Sequence, residues 1–262
     1  MALFDIKKLN YLDIKDVSLS FNKGKIYFVV GSNNSGKSIL YKIMNASILI
    51  NNVICLDGIM LNKDTKNNYL KNIGIVERVN ENSFYFKKVI DEMYYSLSGF
   101  GYNKIKALEI IQYFFDKFKI SSFLSKNINE LDIYERQKIL IIKSLIKKPK
   151  VLLMDNCLDI LKYDDVVEIL NILKELCNDY LTVIYFTSNL NYIDYAYKIE
   201  LFSKYKYIGE FNIEDIYNKD KLFYENNIEI PFIMDLSIKL KMYNLINKNY
   251  DNLSSMVDDI WD

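Results

Sequence analysis

Residues 31–38 read GSNNSGKS and complete the pattern GxxxxGK(S/T) of a phosphate-binding loop. The chain has only eight glycines, and two of them, Gly31 and Gly36, stand where this loop requires them. They allow the tight turn that points successive backbone N–H groups at a polyphosphate, while Lys37 supplies a cation and Ser38 offers a hydroxyl to Mg²⁺. The predicted nucleotide-binding residues are Gly31, Ser32, Asn33, Asn34, Ser35, Gly36, Lys37 and Ser38.

The segments that flank this phosphate loop have the patterns that it needs. Residues 25–30, KIYFVV, are typical of a buried strand, and residues 39–44, ILYKIM, carry apolar side chains at helical spacing. A bound anion would then face a helix N-terminus, where unpaired backbone N–H groups attract negative charge. We therefore predict a strand, the loop and a helix in direct succession.

Composition excludes several classes of protein. With 262 residues, half of them hydrophobic, the chain is long enough for one compact domain with a subdomain, and its 34 basic and 34 acidic residues give no reason to expect nucleic acid as a partner. Three cysteines without metal-ligand spacing predict reduced thiols. Because no long uncharged apolar run and no export signal occur, we expect a cytoplasmic protein whose only link to a membrane is through partners.

The order of segments predicts an α/β fold with a parallel sheet. Helical periodicity fills about residues 87–148, and the apolar strand 151–155, VLLMD, follows. A helical stretch and a second buried strand at 181–186 then complete a parallel strand–helix–strand unit. We predict a P-loop nucleotide-binding domain over residues 1–218 with a helical subdomain at about 87–148, and a small helical appendage over 219–262.

Asp155 provides the second half of the predicted site. An acidic residue at the end of a buried strand, about a hundred residues after a phosphate loop, is expected to hold Mg²⁺ directly or through water. Taken alone, such a residue is also compatible with the less favoured role of an acid that only caps the end of a strand. Together with the phosphate loop, Ser38 and Asp155 are the predicted metal ligands.

The chain resembles the ATP-binding cassette (ABC) ATPases with a RecA-like core, and more narrowly the ATPase subunits of energy-coupling-factor importers. Residues 14–19, IKDVSL, resemble the family's approach to the loop, and residues 73–76, IGIV, resemble its strand before the Q-loop. The C-terminal sequence 228–232, IEIPF, with Leu236, Leu240 and Trp261, is similar to the tail that pairs two ATPases in this subgroup. The resemblance covers nearly the whole chain.

The resemblance implies ATP and Mg²⁺ as ligands and two kinds of protein partner. In the family, two subunits enclose two ATP molecules, and each site combines one chain's phosphate loop with the other chain's signature loop. The dimer docks on the inner face of the cell membrane against a transmembrane coupling protein or permease, which in this subgroup takes up vitamins or transition-metal ions. An aromatic residue near the N-terminus often stacks on adenine in this family, which brings in Phe4 or Tyr11 as candidates, although a core position suits both better.

The chain departs from the family at the positions that hydrolyse ATP. Asn156 follows the Mg²⁺ aspartate where the family has a glutamate that activates water, and an amide cannot accept a proton as a carboxylate does. Arg78 stands at the Q-loop glutamine and Ser188 at the switch histidine. The signature loop aligns with residues 131–135, LDIYE, where Asp132 places a negative charge near a phosphate. The sequence thus assigns no catalytic residue.

These sequence features are compatible with two functions. The first is the ATP-binding subunit of an importer, in which a heterodimer is favoured because a homodimer would lack a catalytic carboxylate and a proper signature loop at both sites. The second is a nucleotide-binding pseudoenzyme that recruits a partner without turnover, which Asn156, Ser188 and Arg78 favour. A P-loop kinase or GTPase is disfavoured because the segments follow cassette order and no NKxD sequence occurs.

Overall fold

The computed structural model describes residues 2–250 and 253–261. The strands of this part of the chain are β1 (Ala2–Tyr11), β2 (Ile14–Asn22), β3 (Ile26–Val30), β4 (Ile54–Leu56), β5 (Ile59–Met60), β6 (Ile73–Glu77), β7 (Val151–Asp155), β8 (Thr182–Thr187), β9 (Lys198–Ser203) and β10 (Lys206–Phe211). The helices are α1 (Lys37–Met44), α2 (Lys66–Lys71), α3 (Val89–Leu97), α4 (Lys104–Lys117), α5 (Ile133–Leu145), α6 (Tyr163–Asp179), α7 (Ile213–Asn218), α8 (Asp220–Glu225), α9 (Phe232–Met242) and α10 (Leu253–Trp261).

The central sheet is parallel except at one edge. Its strands lie in the order β10-β9-β3-β8-β7-β6, and only β10 runs antiparallel to its neighbour. All residues of β3 and β8 are buried, because helices or a second sheet cover both faces. This arrangement confirms the predicted α/β fold with a parallel sheet.

A second, antiparallel sheet covers one face of the central sheet. Its strand order is β2-β1-β4-β5, and residues 12 and 13 form the turn between β1 and β2. Alternate residues of β3 point to opposite faces, so Tyr27 and Val29 pack with α1 and this second sheet. Phe28 and Val30 pack instead with the larger cluster formed by the helices of the other face.

Helices α3, α4 and α5 lie in sequence between β6 and β7. Side chains of α5 fasten this helical segment to the strand that precedes it. Ser144 Oγ donates a hydrogen bond to the Ile75 carbonyl at 2.6 Å. The fully buried Gln137 accepts from the Val79 N–H at 2.7 Å and donates to the Glu77 carbonyl at 3.1 Å. The chain that leaves β6 is therefore held to the helical segment.

The C-terminal helices pack on the main core as well as on each other. Met234 and Ile238 of α9 belong to the larger apolar cluster. The opposite side of α9 carries Ile233, Leu236 and Leu240, which pack on a small cluster of Ile246, Tyr250 and Met256. Tyr243, the first residue after α9, is 76% exposed. The side chain of Trp261 falls outside the described part of the chain.

None of the helices in residues 2–250 and 253–261 combines the length and apolar character that a membrane crossing requires.

Glu200 is a buried acid whose ionisation should affect stability. It lies in β9 with 1% exposure and accepts a hydrogen bond from Tyr207 Oη at 2.7 Å. Burial raises the pKa of Glu200 from 4.5 to about 7, and the charge of Glu210 adds to this rise. The hydrogen bond from Tyr207 and the charge of Lys198 act in the opposite direction and lower the pKa. Because the folded protein keeps this proton after the unfolded chain has lost it, stability should fall as pH rises from about 4.5 to 7.

We predict that Glu200→Gln removes this loss of stability at rising pH. Relative to the wild type, the free energy of unfolding of the variant should gain about 2.5 kcal/mol between pH 5 and pH 8, which is most of the value of the pKa shift. Urea denaturation at several pH values measures the difference. Glu225→Gln, which changes an exposed acid at the end of α8, is the control and should leave the pH dependence close to that of the wild type. Parallel curves for the wild type and Glu200→Gln would refute the prediction.

Candidate functional site

The predicted phosphate loop surrounds a cavity at the end of β3. The loop joins β3 to α1, which begins at Lys37. The cavity measures about 290 Å³, and its lining consists of residues 32–39 together with Asn156 and Tyr205. Helix α1 begins at this cavity, so its N-terminal end, with the N–H groups of Lys37 and Ser38, faces the side from which an anion would enter.

Both glycines of the loop are required by close contacts. A Cβ atom on Gly31 would lie 2.4 Å from the Phe202 carbonyl oxygen and 2.6 Å from Ser35 Oγ. Gly36 has φ 101°, in the region that favours glycine, and a Cβ there would lie 3.2 Å from the Cα of Tyr205. The loop can therefore keep this shape only with glycine at these two positions.

Lys37 is buried and folded back on its own loop. Its Nζ donates to the carbonyl oxygens of Gly31 and, at 3.1 Å, of Ser32, and to Ser35 Oγ at 3.3 Å. Burial lowers the pKa of Lys37 to about 8, and the nearby charge of Asp155 opposes this shift. The ammonium group thus remains charged at neutral pH, close to the place where the loop would hold phosphate oxygens.

Asp155 ends β7 between two neighbouring strands. It is aligned with Glu77 of β6 on one side and with Phe186 of β8 on the other. Burial raises the pKa of Asp155, the carboxylate of Glu77 raises it further, and the ammonium of Lys37 opposes both. A carboxylate with a second carboxylate beside it is a favourable place for a cation. Glu77 was not predicted, because only strand pairing brings it next to Asp155.

The residues present fit a Mg²⁺ ion that is shared with a polyphosphate. Mg²⁺ in nucleotide sites is held by one or two protein oxygens together with phosphate oxygens and water. The exposed hydroxyl of Ser38 and the carboxylate of Asp155 are suitable oxygen ligands at this edge of the sheet. In the part of the chain that the structure describes, no cluster of three or more His, Cys, Asp or Glu residues can hold a metal ion.

Asn156 lines the cavity but cannot act as a base. Its backbone has φ 45°, and its Nδ2 donates to Asp155 Oδ1 at 3.3 Å. Its Oδ1 is buried and has no hydrogen-bond partner among residues 2–250 and 253–261. A buried carbonyl oxygen of this kind needs a donor from a ligand or from water. Asn156 can therefore position a water molecule or a ligand, but it cannot remove a proton.

Ser188 lies in a neighbouring cavity of about 490 Å³ that also borders the phosphate loop. This second cavity is lined by Ser32, Asn33, Ser188, Asn189, Asn227 and Glu229. Asn227 and Glu229 come from the segment between α8 and α9, so the C-terminal part of the chain reaches the predicted site. No sequence pattern indicated this approach, since a long-range contact of an exposed loop leaves no periodic signal.

The N-terminus of α5 is occupied by the chain's own carboxylates. Asp132 caps the helix by accepting from the Glu135 N–H at 2.8 Å, and Glu135 in turn accepts from the Asp132 N–H at 2.8 Å. These two acids satisfy N–H groups that would otherwise be available to an anion. A phosphate brought to this helix end would meet two negative charges.

The other predicted residues lie away from the phosphate-loop cavity. Arg78 is exposed just after β6. Phe4 is completely buried in the core, and Tyr11 packs partly buried against the same core without lining the cavity. The aromatic residue that does line it is Tyr205, which the sequence did not indicate.

Comparison with known proteins places the chain among ATP-binding transport proteins. Residues 14–159 match the sequence profile of the ABC transporter family. The energy-coupling factor transporter ATP-binding protein EcfA1 of Mesomycoplasma hyopneumoniae strain J is 28% identical over 255 residues, which cover 97% of this chain and 92% of the relative. The protein of the same name from Oenococcus oeni is 24% identical over 271 residues, which cover 100% of this chain and 98% of the relative.

Solved structures share the fold of this chain. The structure of cbiO1 from Clostridium perfringens, described as part of the ABC transporter complex cbiONQ, superposes with a TM-score of 0.76 at 19% identity and covers 86% of this chain and 94% of its own. A nucleotide-free ATP-binding cassette from an ABC transporter superposes with a TM-score of 0.73 at 18% identity and covers 88% and 100%. These likenesses confirm the fold.

We predict that Lys37→Ala abolishes binding of Mg-ATP. Loss of the ammonium removes a charged donor to the phosphates, and hydrogen bonds to charged groups contribute up to about 3 kcal/mol each. Titration calorimetry measures the affinity. Lys42→Ala, which removes an exposed lysine from the same helix, is the control and should bind as the wild type does. If Lys37→Ala binds Mg-ATP with unchanged affinity, the site is wrongly assigned.

Proposed function

This chain belongs to the ABC transporter family, and from that premise we propose that it is the ATP-binding subunit of an energy-coupling-factor importer that takes up a vitamin or a metal ion. The observation that carries the proposal is the intact phosphate-loop cavity in a chain that is similar to EcfA1 proteins over its whole length. The same similarity includes the C-terminal segment, which the family profile over residues 14–159 does not reach.

The proposed site holds ATP by the loop and by one buried cation. The backbone N–H groups of residues 32–38 surround the phosphates, and the ammonium of Lys37 exchanges loop carbonyls for phosphate oxygens. Ser38 and Asp155 hold Mg²⁺, which neutralises part of the phosphate charge when it is bound. Release of the unfavourable repulsion between Asp155 and Glu77 adds to the stability of this complex.

Binding should be retained far better than hydrolysis. Loss of a general base typically slows a reaction by about 10²- to 10⁴-fold, and Asn156 stands where the family has that base. Ser188 cannot replace the charge or proton transfer of a histidine. We propose that the site built on Lys37 binds ATP and turns it over slowly.

A heterodimer explains these departures better than a homodimer. The helix end that the family offers to the partner's phosphate is here the start of α5, and Asp132 and Glu135 already occupy it. In a homodimer, both sites would combine Asn156 with this anionic helix end. We propose a second ABC ATPase as partner, with its own catalytic carboxylate at the other site.

The C-terminal segment, residues 219–262, is proposed as the part that strengthens this pairing. Large apolar side chains remain exposed on and after α9, namely Phe232, Met242, Tyr243 and Leu245. A contiguous patch of exposed apolar groups is typical of protein contact surfaces, and we propose that these side chains form one. Residues 1–218 then form the ATP-binding domain, with residues 87–148 as its helical subdomain.

A second surface suits the transmembrane partner. Tyr85, Phe86 and Tyr95 expose 76%, 42% and 49% of their surface, and the ring of Tyr95 packs against both of the others. The fully buried Glu92 accepts from the backbone N–H groups of Tyr85 and Phe86 at 2.8 and 2.9 Å and pairs with Lys143. These contacts keep the rings in one arrangement, which lowers the entropy cost of docking. We propose that the transmembrane coupling protein docks on these three rings, so that the chain is held on the inner face of the cell membrane.

The alternative is a nucleotide-binding pseudoenzyme that acts as a scaffold or regulator. Asn156 and the capped start of α5 favour it, because both leave ATP binding intact and weaken turnover. The two functions differ in the partners that they require.

We predict that the tagged chain, purified from detergent-solubilised membranes, captures a second ABC ATPase and a protein with many membrane spans, both identified by mass spectrometry. The double variant Tyr85→Ser, Tyr95→Ser should lose the membrane protein and keep the ATPase, because only the exposed rings are changed. Tyr163→Ser, which removes a tyrosine that is 69% exposed elsewhere on the surface, is the control and should capture both. Recovery of neither partner would favour the pseudoenzyme.

We predict that Asn156→Glu raises ATP turnover in the reconstituted dimer by about ten- to a hundredfold, part of what a general base contributes. The partner's catalytic carboxylate is first removed, so that phosphate release reports the site on Lys37. Asn156→Gln has nearly the same size as the glutamate variant and no base, and should stay at the basal rate. If the glutamate variant is no faster, the altered residues at 78, 132 and 188 limit hydrolysis instead.

A further inference from the structure

The turn between β9 and β10 has an unfavourable backbone for its sequence. Lys204 and Tyr205 are its two central residues, with φ 48° and 65°. Two-residue hairpin turns with positive φ at both positions strongly prefer Asn-Gly or Asp-Gly. Side chains with a Cβ are disfavoured there, and a bulky aromatic one is unusual. A strained residue that persists in a fold is a reason to look for a function.

This turn lies directly on the phosphate loop. The Tyr205 N–H donates to the Ser35 carbonyl at 2.9 Å. A Cβ built on Gly36 would lie 3.3 Å from Cδ1 of the Tyr205 ring, which shows that the ring is next to the glycine. The side chain is partly buried, and Tyr205 lines the same cavity as Lys37 and Ser38. The turn is thus fixed to the loop by a hydrogen bond and by packing.

Tyr205 is the only aromatic residue that lines this cavity within the described part of the chain. The loop residues that line the rest are polar or glycine, except for Ile39 at the start of α1. Such a lining matches the phosphates and provides little for the flat, apolar face of a base. The ring of Tyr205 supplies the apolar surface that the loop lacks.

We propose that Tyr205 packs its ring against the base of the bound nucleotide and thereby sets the affinity of the site for the nucleoside part of ATP. The inference rests on the proposed function insofar as it takes ATP as the ligand. Stacking on an aromatic ring does not depend on the hydrogen-bonding edge of the base. Tyr205 should therefore favour nucleotides over inorganic polyphosphate without selecting one base strongly.

The test uses a variant that removes the ring and suits the backbone. Glycine adopts positive φ without cost, and this gain offsets part of the packing lost with the ring, so Tyr205→Gly should still fold. Lys204→Gly is the matched control. It removes the same unfavourable positive φ of a non-glycine residue at the adjacent position of the turn, and the side chain that it deletes does not line the cavity. Tyr205→Phe keeps the ring and removes only the hydroxyl. Titration calorimetry with Mg²⁺ compares ATP and inorganic tripolyphosphate as ligands.

We expect Tyr205→Gly to bind ATP about tenfold more weakly, the scale of one base–aromatic contact, and to bind tripolyphosphate as the wild type does. Lys204→Gly and Tyr205→Phe should bind both ligands with nearly unchanged affinity. Equal ATP affinity of Tyr205→Gly and Lys204→Gly would overturn the proposal. An equal loss for ATP and tripolyphosphate would also overturn it, because Tyr205 would then only support the loop. If the wild type binds ATP no better than Lys37→Ala does, the proposed function itself fails.

Discussion

The parallel pairing of β3, β8 and β7 is the constraint on which the whole site depends. Parallel strands end at the same edge of a sheet, so the phosphate loop after β3, Ser188 after β8 and Asp155 at the end of β7 are brought together although they are far apart in the sequence. The register fixes the details, since Val30 is aligned with Thr187 and Asp155 with Phe186. A shift of one residue along any of these strands would turn the side chains to the opposite face of the sheet. The apolar clusters on both faces keep the register, and through it they keep the site.

The parts of the site that have local sequence patterns were predictable, and the parts that depend on tertiary contacts were not. The phosphate loop, the apolar strand before it and the strand that ends at Asp155 all follow from motifs and periodicity that a short window contains. Tyr205 lies in a turn whose sequence predicts nothing about where it packs, and its place beside Gly36 follows from the pairing of β9 with β3. Strand pairing aligns Glu77 with Asp155, and Glu229 of the C-terminal segment lines the same cavity as Ser32. The pattern of α9 was informative about Leu236 and Leu240, but it did not reveal that Met234 and Ile238 on the other side pack on the main core.

The two ends of the proposed composite site have changed in different ways. At the phosphate loop, the groups that bind are present and the group that would activate water is an amide. At the start of α5, Asp132 and Glu135 form a capping box, so the helix is complete without any ligand. Such a cap stabilises the free subunit and makes the same helix end a poor partner for phosphate. A single subunit of this kind can contribute one good binding loop to a dimer and depend on its partner for catalysis.

Some residues around the phosphate loop are accounted for by the fold alone. Others are accounted for only when a ligand is bound. The ammonium of Lys37 satisfies loop carbonyls, so its presence alone would be compatible with a purely structural role. Asp155 is different, because burial and the charge of Glu77 both disfavour its ionised form, and no partner in the loop removes that cost completely. The buried Oδ1 of Asn156 has no hydrogen-bond partner in the described part of the chain, and Tyr205 holds a backbone conformation that a glycine would adopt at lower cost. The costs at Asp155 and Asn156 fall when a cation and a hydrogen-bond donor occupy the cavity, and the ring of Tyr205 offers a surface to a flat apolar group. A nucleotide with its Mg²⁺ and bound water provides the cation, the donor and the flat apolar group. The residues around the loop therefore support, more strongly than the loop itself does, a site that still binds ATP.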